Sequence, residues 1–179
     1  MEFGEQVVAK NVRTGEVVSG VVREGMFGVV LGGTQGQEVV REDDVVEVLV
    51  YNGGKLAGRG EIRVEIEQLE RAVGFVSVEW LPERTELLQN YPNPFNPDTW
   101  IPFQLAENTN VTISIYDISG KLIRTLALGG QRAGIYVTKE RAAYWNGRNN
   151  FAERVSSGVY FYRIDTGKFS AIKRMALLK

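Results

Sequence analysis

The sequence predicts an all-β chain: two β-sandwich domains joined by a proline-rich segment. Three observations carry this. Short runs rich in β-branched and aromatic residues alternate with polar ones at period two. Gly and Asn-Gly signals punctuate those runs at close intervals. All five prolines (Pro82, Pro92, Pro94, Pro97 and Pro102) fall in one stretch, and the charge balance changes sign there. Residues 1–80 carry 8 Lys and Arg against 14 Asp and Glu, whereas 81–179 carry 13 against 8. A boundary near 81–90 follows, with a spacer domain at 1–82, a connector at 83–98 and a second domain at 99–179. Proline fixes φ and removes a donor, so the connector is expected to run extended or PPII-like.

In the first half, Val45–Tyr51 is a β-branched run ending at the hairpin signal Asn52-Gly53-Gly54. Glu61–Ile66 alternates charged and apolar residues as a half-solvated strand does. Gln6–Lys10, Glu16–Arg23, Met26–Leu31 and Gly74–Trp80 are further strands, with Thr14-Gly15 and Gly32-Gly33 as turns. Only Ile66–Val73 has room for a short helix. In the second half, strands are predicted at Thr99–Leu105, Asn110–Tyr116, Lys121–Leu128, Gly134–Thr138 and Ala142–Trp145. Asp117–Gly120 is a turn with Gly120 suited to a left-handed position, Gly129-Gly130 opens a loop, and Asn146-Gly147 is another turn. Gly158–Asp165 and Lys168–Leu178 make a terminal hairpin around Asp165-Thr166-Gly167.

Composition removes whole classes of chemistry. The 179 residues are 44% hydrophobic, enough for one large or two small cores. The chain has no cysteine and no histidine. Disulfides, thiol nucleophiles, imidazole bases, Ser-His-Asp sites and the commonest zinc ligands are therefore excluded. Carboxylate-only or Ser-Lys catalysis survives this cut, and the expectation is a non-enzyme without cofactor or metal. No dense basic run interleaves with aromatics, so no nucleic-acid partner is expected. No stretch approaches the ~20 apolar residues of a membrane helix. Met1–Glu5 lacks the basic and apolar regions of a signal peptide. The chain is then cytosolic or the end of a longer exported one, and the motifs below favour the second.

Leu87-Leu88-Gln89-Asn90-Tyr91-Pro92-Asn93-Pro94-Phe95-Asn96-Pro97 resembles the entry motif of the C-terminal sorting domains of type IX secretion cargo. It resembles equally the Ig-like domain of the flagellar hook-capping protein. Val111–Asp117 with Gly120, Ala133-Gly134, Trp145-Asn146-Gly147, Ser157–Arg163 and Lys173–Lys179 follow in the order of that family. Asn146 stands where the family usually has Asp, and Phe151-Ala152-Glu153-Arg154-Val155 lacks a glycine usual in that loop. The resemblance spans about residues 86–179. It implies an Ig-like sandwich of about seven strands in a secreted or cell-surface protein, acting as an export and anchoring signal. The implied partner is the outer-membrane secretion machinery or another surface protein. A structural module of hook-cap or adhesin-stalk type is the alternative. Thr14–Val18, Met26–Leu31 and Asp44–Val48 are similar to transthyretin-like or carboxypeptidase-regulatory-like modules, or to an Ig-like spacer.

The candidate recognition residues are Tyr91, Pro92, Asn93, Pro94, Phe95, Asn96 and Pro97, with Gly158, Tyr160 and Lys173 from the terminal hairpin. Tyr91–Pro97 reads as a rigid docking element, or as a staple packing Tyr91 and Phe95 on the sandwich and shielding an edge. Gly158–Tyr162 reads as part of the sorting motif or as a central strand buried on both faces, with Tyr160 and Tyr162 on one side. Lys173, Arg174 and Lys179 would meet an acidic receptor or lipid head groups, or be solvated. Glu42-Asp43-Asp44 is read as a charged turn in preference to a calcium loop. Glu65, Glu67 and Glu70 are read as a solvated face in preference to a glycosidase pair. Trp145 is assigned to the core. Trp80 and Trp100 are assigned to packing between the domains, with sugar stacking by a carbohydrate-binding first half as a lesser alternative.

Overall fold

The structure, a computed structural model, describes residues 6–21, 40–65 and 78–178. The chain divides into two compact units, Met1–Leu81 and Pro82–Lys179. Every regular element among the described residues is a strand, and the sheets are antiparallel, consistent with Ig-like sandwiches.

The first unit carries β1 (Gln6–Asn11), β2 (Val17–Val21), β3 (Val45–Asn52), β4 (Lys55–Arg63) and β5 (Glu79–Trp80). They form one sheet in the order β2-β1-β3-β4-β5. Period-two alternation puts Val7 and Ala9 of β1 beside Val46, Val48 and Val50 of β3 on a single buried face. β3 and β4 join through Gly53-Gly54, both at positive φ as a type I′ turn requires. β4 begins six residues before the strand predicted at Glu61–Ile66, because Gly58 and Gly60 hide its alternation from the sequence. Gly58 is fixed by close approach: a Cβ there would sit 2.7 Å from Val78 Cγ1. The strand predicted at Met26–Leu31, the Gly32-Gly33 turn, the Ile66–Val73 helix and the start of Gly74–Trp80 lie outside the described residues.

The second unit holds β6 (Glu86–Leu87), β7 (Thr99–Ile101), β8 (Phe103–Leu105), β9 (Thr109–Asp117), β10 (Leu122–Gln131), β11 (Gly134–Tyr136), β12 (Ala143–Trp145), β13 (Gly158–Asp165) and β14 (Ser170–Leu177). A four-stranded sheet runs β10-β9-β13-β14, and smaller sheets run β11-β8-β6 and β12-β7. Their inner faces share one core, with Val111, Ile113, Ile115, Tyr160, Tyr162, Ile164, Met175 and Leu177 from the large sheet. Leu87, Ile101, Phe103, Leu105, Tyr136 and Trp145 enter it from the small ones.

The structure departs from the sequence reading here in five ways. Thr99–Leu105 is broken at Pro102, which has no N–H for a ladder, so β12 pairs with β7 and β11 with β8. Gly129-Gly130 continues β10 as a bulge, with Gly129 at φ +70°, and does not open a loop. β13 buries one face only: Tyr160, Tyr162 and Ile164 point inward while Val159 and Arg163 are exposed. Residues 83–98, expected as a connector, lie within the second unit, because Leu87 and Phe95 are core residues. Nor does the segment run as a PPII rod, since it bends at 92–94 and again at 96–97.

Candidate functional site

The loop Tyr91–Pro97 is held by its alternate residues. Tyr91 exchanges both backbone hydrogen bonds with Trp100, each 2.9 Å. Its ring stacks on Trp100 at 6.1 Å between centroids, and its hydroxyl donates to the Val137 carbonyl at 2.6 Å. The Asn93 side-chain oxygen accepts the Ala176 N–H at 2.9 Å. Phe95 donates its N–H to the Ala176 carbonyl at 3.0 Å and accepts the Leu178 N–H at 2.9 Å. Its ring is buried, 2% exposed. Pro92, Asn93, Pro94, Asn96 and Pro97 lie on the surface. The Tyr91–Pro92, Asn93–Pro94 and Asn96–Pro97 bonds are cis.

Beneath the loop sits a polar staple that sequence reasoning left out of the site. Asn90 is buried, and its side-chain amide donates to Thr99 Oγ1 at 2.9 Å and to the Pro92 carbonyl at 3.1 Å. Thr99, also buried, donates to the same carbonyl at 3.1 Å. The Tyr162 hydroxyl accepts the Asn90 N–H and donates to the Leu88 carbonyl, both at 2.9 Å. Burial pushes the Tyr162 phenol up to about 12, so it stays a neutral donor throughout the ordinary pH range. The signal available in the sequence was Asn90 itself, a residue type that bonds neighbouring backbone, next to a segment poor in N–H donors.

The motifs that are far apart in sequence meet in the core. Phe95 packs on Trp145 at 5.5 Å, and Trp145 packs edge-on against Tyr160, also at 5.5 Å. The indole N–H of Trp145 donates to the Arg148 carbonyl at 2.8 Å. Gly147 is at φ +67°, and a Cβ there would lie 3.2 Å from the Pro97 carbonyl oxygen and 3.7 Å from Leu177. Both the conformation and the close approach require glycine. The proline loop, the Trp145–Gly147 turn, β13 and the chain end therefore form one packed assembly.

Residues 97–168 match the family model of the FlgD Ig-like domain. The matched part is an Ig-like module. No curated protein matches the chain. Among solved structures, part of the dimeric latent PorU from Porphyromonas gingivalis is similar, at 14% identity and a TM-score of 0.42. That match covers 78% of this chain and 13% of PorU. A BSP domain of a biofilm-associated protein is similar at 8% identity and a TM-score of 0.32, covering 98% of this chain and 25% of the other. The chain thus spans an eighth to a quarter of the length of these proteins.

Of the remaining candidates in this Ig-like unit, Tyr160 is buried, its hydroxyl donating to the Ser156 carbonyl at 2.7 Å, and burial raises its pKa. Gly158 is exposed, with open space around the position of a Cβ. Lys173 is half-buried opposite Tyr162 and Arg174 is exposed, while Lys179 lies outside the described residues. Trp145 is in the core, as expected. Trp100 is engaged inside its own unit by Tyr91, by Tyr144 at 5.7 Å and by the Lys139 ammonium at 4.3 Å from the ring centroid. The Tyr144 hydroxyl donates to Asp98 at 2.6 Å, and that carboxylate raises the phenol's pKa.

In the first unit, Trp80 is 55% exposed at the end of β5. Glu42 and Asp43 form the expected turn, but Asp44 is a buried structural carboxylate. It accepts from Arg13 Nε at 2.6 Å and Nη2 at 2.8 Å, from the Asn11 amide at 2.8 Å and from the Arg41 N–H at 3.0 Å. Those donors, the Arg13 guanidinium first, hold it well below the usual carboxylate range. Among the described residues no His, Cys, Asp and Glu cluster could hold a metal. Glu65 is exposed, and Glu67 and Glu70 lie outside the described residues.

Proposed function

We propose that residues 82–179 form a non-enzymatic docking module of a secreted or cell-surface bacterial protein, a secretion and anchoring signal recognised by outer-membrane export machinery. The observation that carries this reading is the construction of the proline loop. Its anchors, Phe95 and the backbone of Tyr91, are tied into the core and sheet. Its displayed residues, Pro92, Asn93, Pro94, Asn96 and Pro97, face outward. A surface that is already ordered binds without the entropic cost of ordering it. The motif set over 86–179, similar to type IX sorting domains, supports the identity of the partner. The first unit then serves as a spacer.

A second reading, a purely structural scaffold of hook-cap or adhesin-stalk type, is favoured by the FlgD Ig-like match over residues 97–168. The two separate in one assay. The full chain, residues 1–179, is fused after a periplasmically targeted reporter in a bacterium with a type IX machine. Appearance of the reporter at the cell surface or in the medium is the expected result. Retention in the periplasm sinks the export reading and leaves the scaffold.

A further inference from the structure

The two edges of the four-stranded sheet are finished differently. β10 carries register shifts between Leu122 and Arg124 and between Ala127 and Gly129, and bulges of this kind discourage pairing. A neighbouring loop also covers it: Asn150 donates its N–H to the Ile123 carbonyl at 3.0 Å and accepts the Thr125 N–H on its side chain at 3.1 Å. The Gln131 side chain takes the Leu128 carbonyl at 2.7 Å.

β14, the other edge, is finished only in part. The hairpin fixes which of its backbone groups face β13. Thr166 N–H bonds the Phe169 carbonyl, so the hydrogen-bonded positions recur every second residue as Ala171, Lys173, Met175 and Leu177. Ser170, Ile172, Arg174 and Ala176 therefore face away from β13. The same phase follows independently from Ala176, whose N–H and carbonyl both reach the proline loop. Gln89 covers the Arg174 carbonyl at 3.0 Å. The loop seals the edge from Arg174 onward and stops there. The N–H and carbonyl groups of Ser170 and Ile172, and the Arg174 N–H, have no hydrogen-bond partner among the described residues.

We propose that this open half-edge, Ser170–Arg174, is where a partner adds an extended strand, and that the strand it accepts is acidic with apolar residues interleaved. The proposal rests on the docking role above and places it on a particular set of backbone groups. Five unpaired groups along one edge are the template for strand addition. Ile172 is 60% exposed beside them and offers the apolar contact. Charge sets the sign of the partner. Nearby Lys168 is paired with Glu107, and Arg163 with Asp165. Lys173 and Arg174 have no carboxylate partner among the described residues, so the cations left for an incoming strand flank the open groups.

Proline at 172 gives a clean test, because its missing N–H is one that points away from the ladder and edges tolerate such a proline. The full chain is titrated with a short peptide alternating valine and glutamate, read by NMR shifts on β14, and the same variants are placed in the reporter fusion. Wild type is expected to bind the peptide in a salt-dependent way and to export the reporter. I172P and R174E, with melting temperatures near wild type, are expected to lose roughly tenfold in both peptide affinity and export. Failure of wild type to bind the peptide, or equal binding by a folded I172P and R174E, overturns the edge site. If I172P unfolds, R174E alone decides. A wild-type chain that binds the peptide at β14 while its reporter stays in the periplasm upholds the edge and overturns the export reading.

Discussion

Among the described residues each unit buries a polar network, and the two are built from opposite materials. In the first, Asp44 gathers four hydrogen bonds, three of them from Arg13 and Arg41. This joins the Asn11–Gly15 turn to the start of β3 with a charge. In the second, Asn90, Thr99 and Tyr162 join the proline loop to β13 with amides and hydroxyls that carry none. The charged version is strong while ionised and half its ion pair is solvated, since Arg13 is 41% exposed. The neutral version is indifferent to pH over the range where carboxylates titrate, and it lies under the proline loop.

The comparison breaks most visibly at Phe95. Truncation to Ala removes a ring from the core between the loop and Trp145, and such changes cost about 3–5 kcal/mol. In calorimetry of F95A, one of two melting transitions is expected to fall by tens of degrees while the other stays in place. A common shift of both would mean that the units do not unfold separately. The variant also assigns the transitions for the experiments that follow.

Tyr162→Phe tests the neutral network directly. The ring and its packing remain, but the Asn90 N–H and the Leu88 carbonyl lose their shared partner. Leaving buried groups unpaired costs about 1–3 kcal/mol. The second transition is expected to drop by several degrees per kcal/mol, with no change between pH 8 and pH 4. An unchanged melting temperature would show that the hydroxyl contributes nothing beyond its ring.

These expectations mark how far the sequence could be read. Alternation and turn chemistry located most strands: β1, β3, β9 and β13 lie within one residue of their predicted bounds. Phe95, Trp145 and Tyr160, drawn from three separate motifs, pack on one another in the core. What stayed hidden was partnership across distance. Nothing near Asp44 says that Arg13 will reach it, and nothing near Tyr162 says that its hydroxyl will bond backbone some seventy residues earlier. Proline density suggested a linker because local rules see the missing donors. They do not see that Phe95 supplies the buried ring that ties the segment down. Edge protection was legible as an idea but not as a register, since only the paired hairpin tells which groups of β14 look outward.

Acid sharpens the contrast between the networks. The folded-state pKa of Asp44 is depressed below the ordinary value near 3.9, so its contribution is fully present above that value. It is lost progressively as the pH falls from there toward the folded pKa. Asp117 in the second unit is also lowered, by Ser119 first, but it is only half-buried beside a solvated turn and contributes little through solvent screening. The transition that F95A leaves in place is expected to fall between pH 5 and pH 3, and more steeply than the other. Asp44→Asn should flatten that slope. Equal slopes in the wild type would place the acid sensitivity elsewhere.

The smallest effect concerns backbone strain, where the units again differ in material. Each has one non-glycine residue at positive φ among the described residues: Asp43 at 67° and Ala152 at 62°. Asp is a residue type that tolerates this region, and Asp43 also pairs with Arg63 at 3.4 Å. Ala has no polar side chain to compensate and bears the full clash of its Cβ, about 1–2 kcal/mol. It is held there by its neighbours: Asn149 accepts the N–H groups of Phe151 and Glu153, and Arg148 donates to the Ala152 carbonyl at 2.5 Å. Glycine at 152 removes the clash but gives the unfolded chain more freedom, about 0.5–1 kcal/mol in the other direction. Ala152→Gly is therefore expected to raise the second transition by the difference, roughly 0.5–1 kcal/mol. Asp43→Gly should leave the first transition unchanged or slightly lower it. A stabilised D43G with an unaffected A152G would reverse the assignment of strain between the two units.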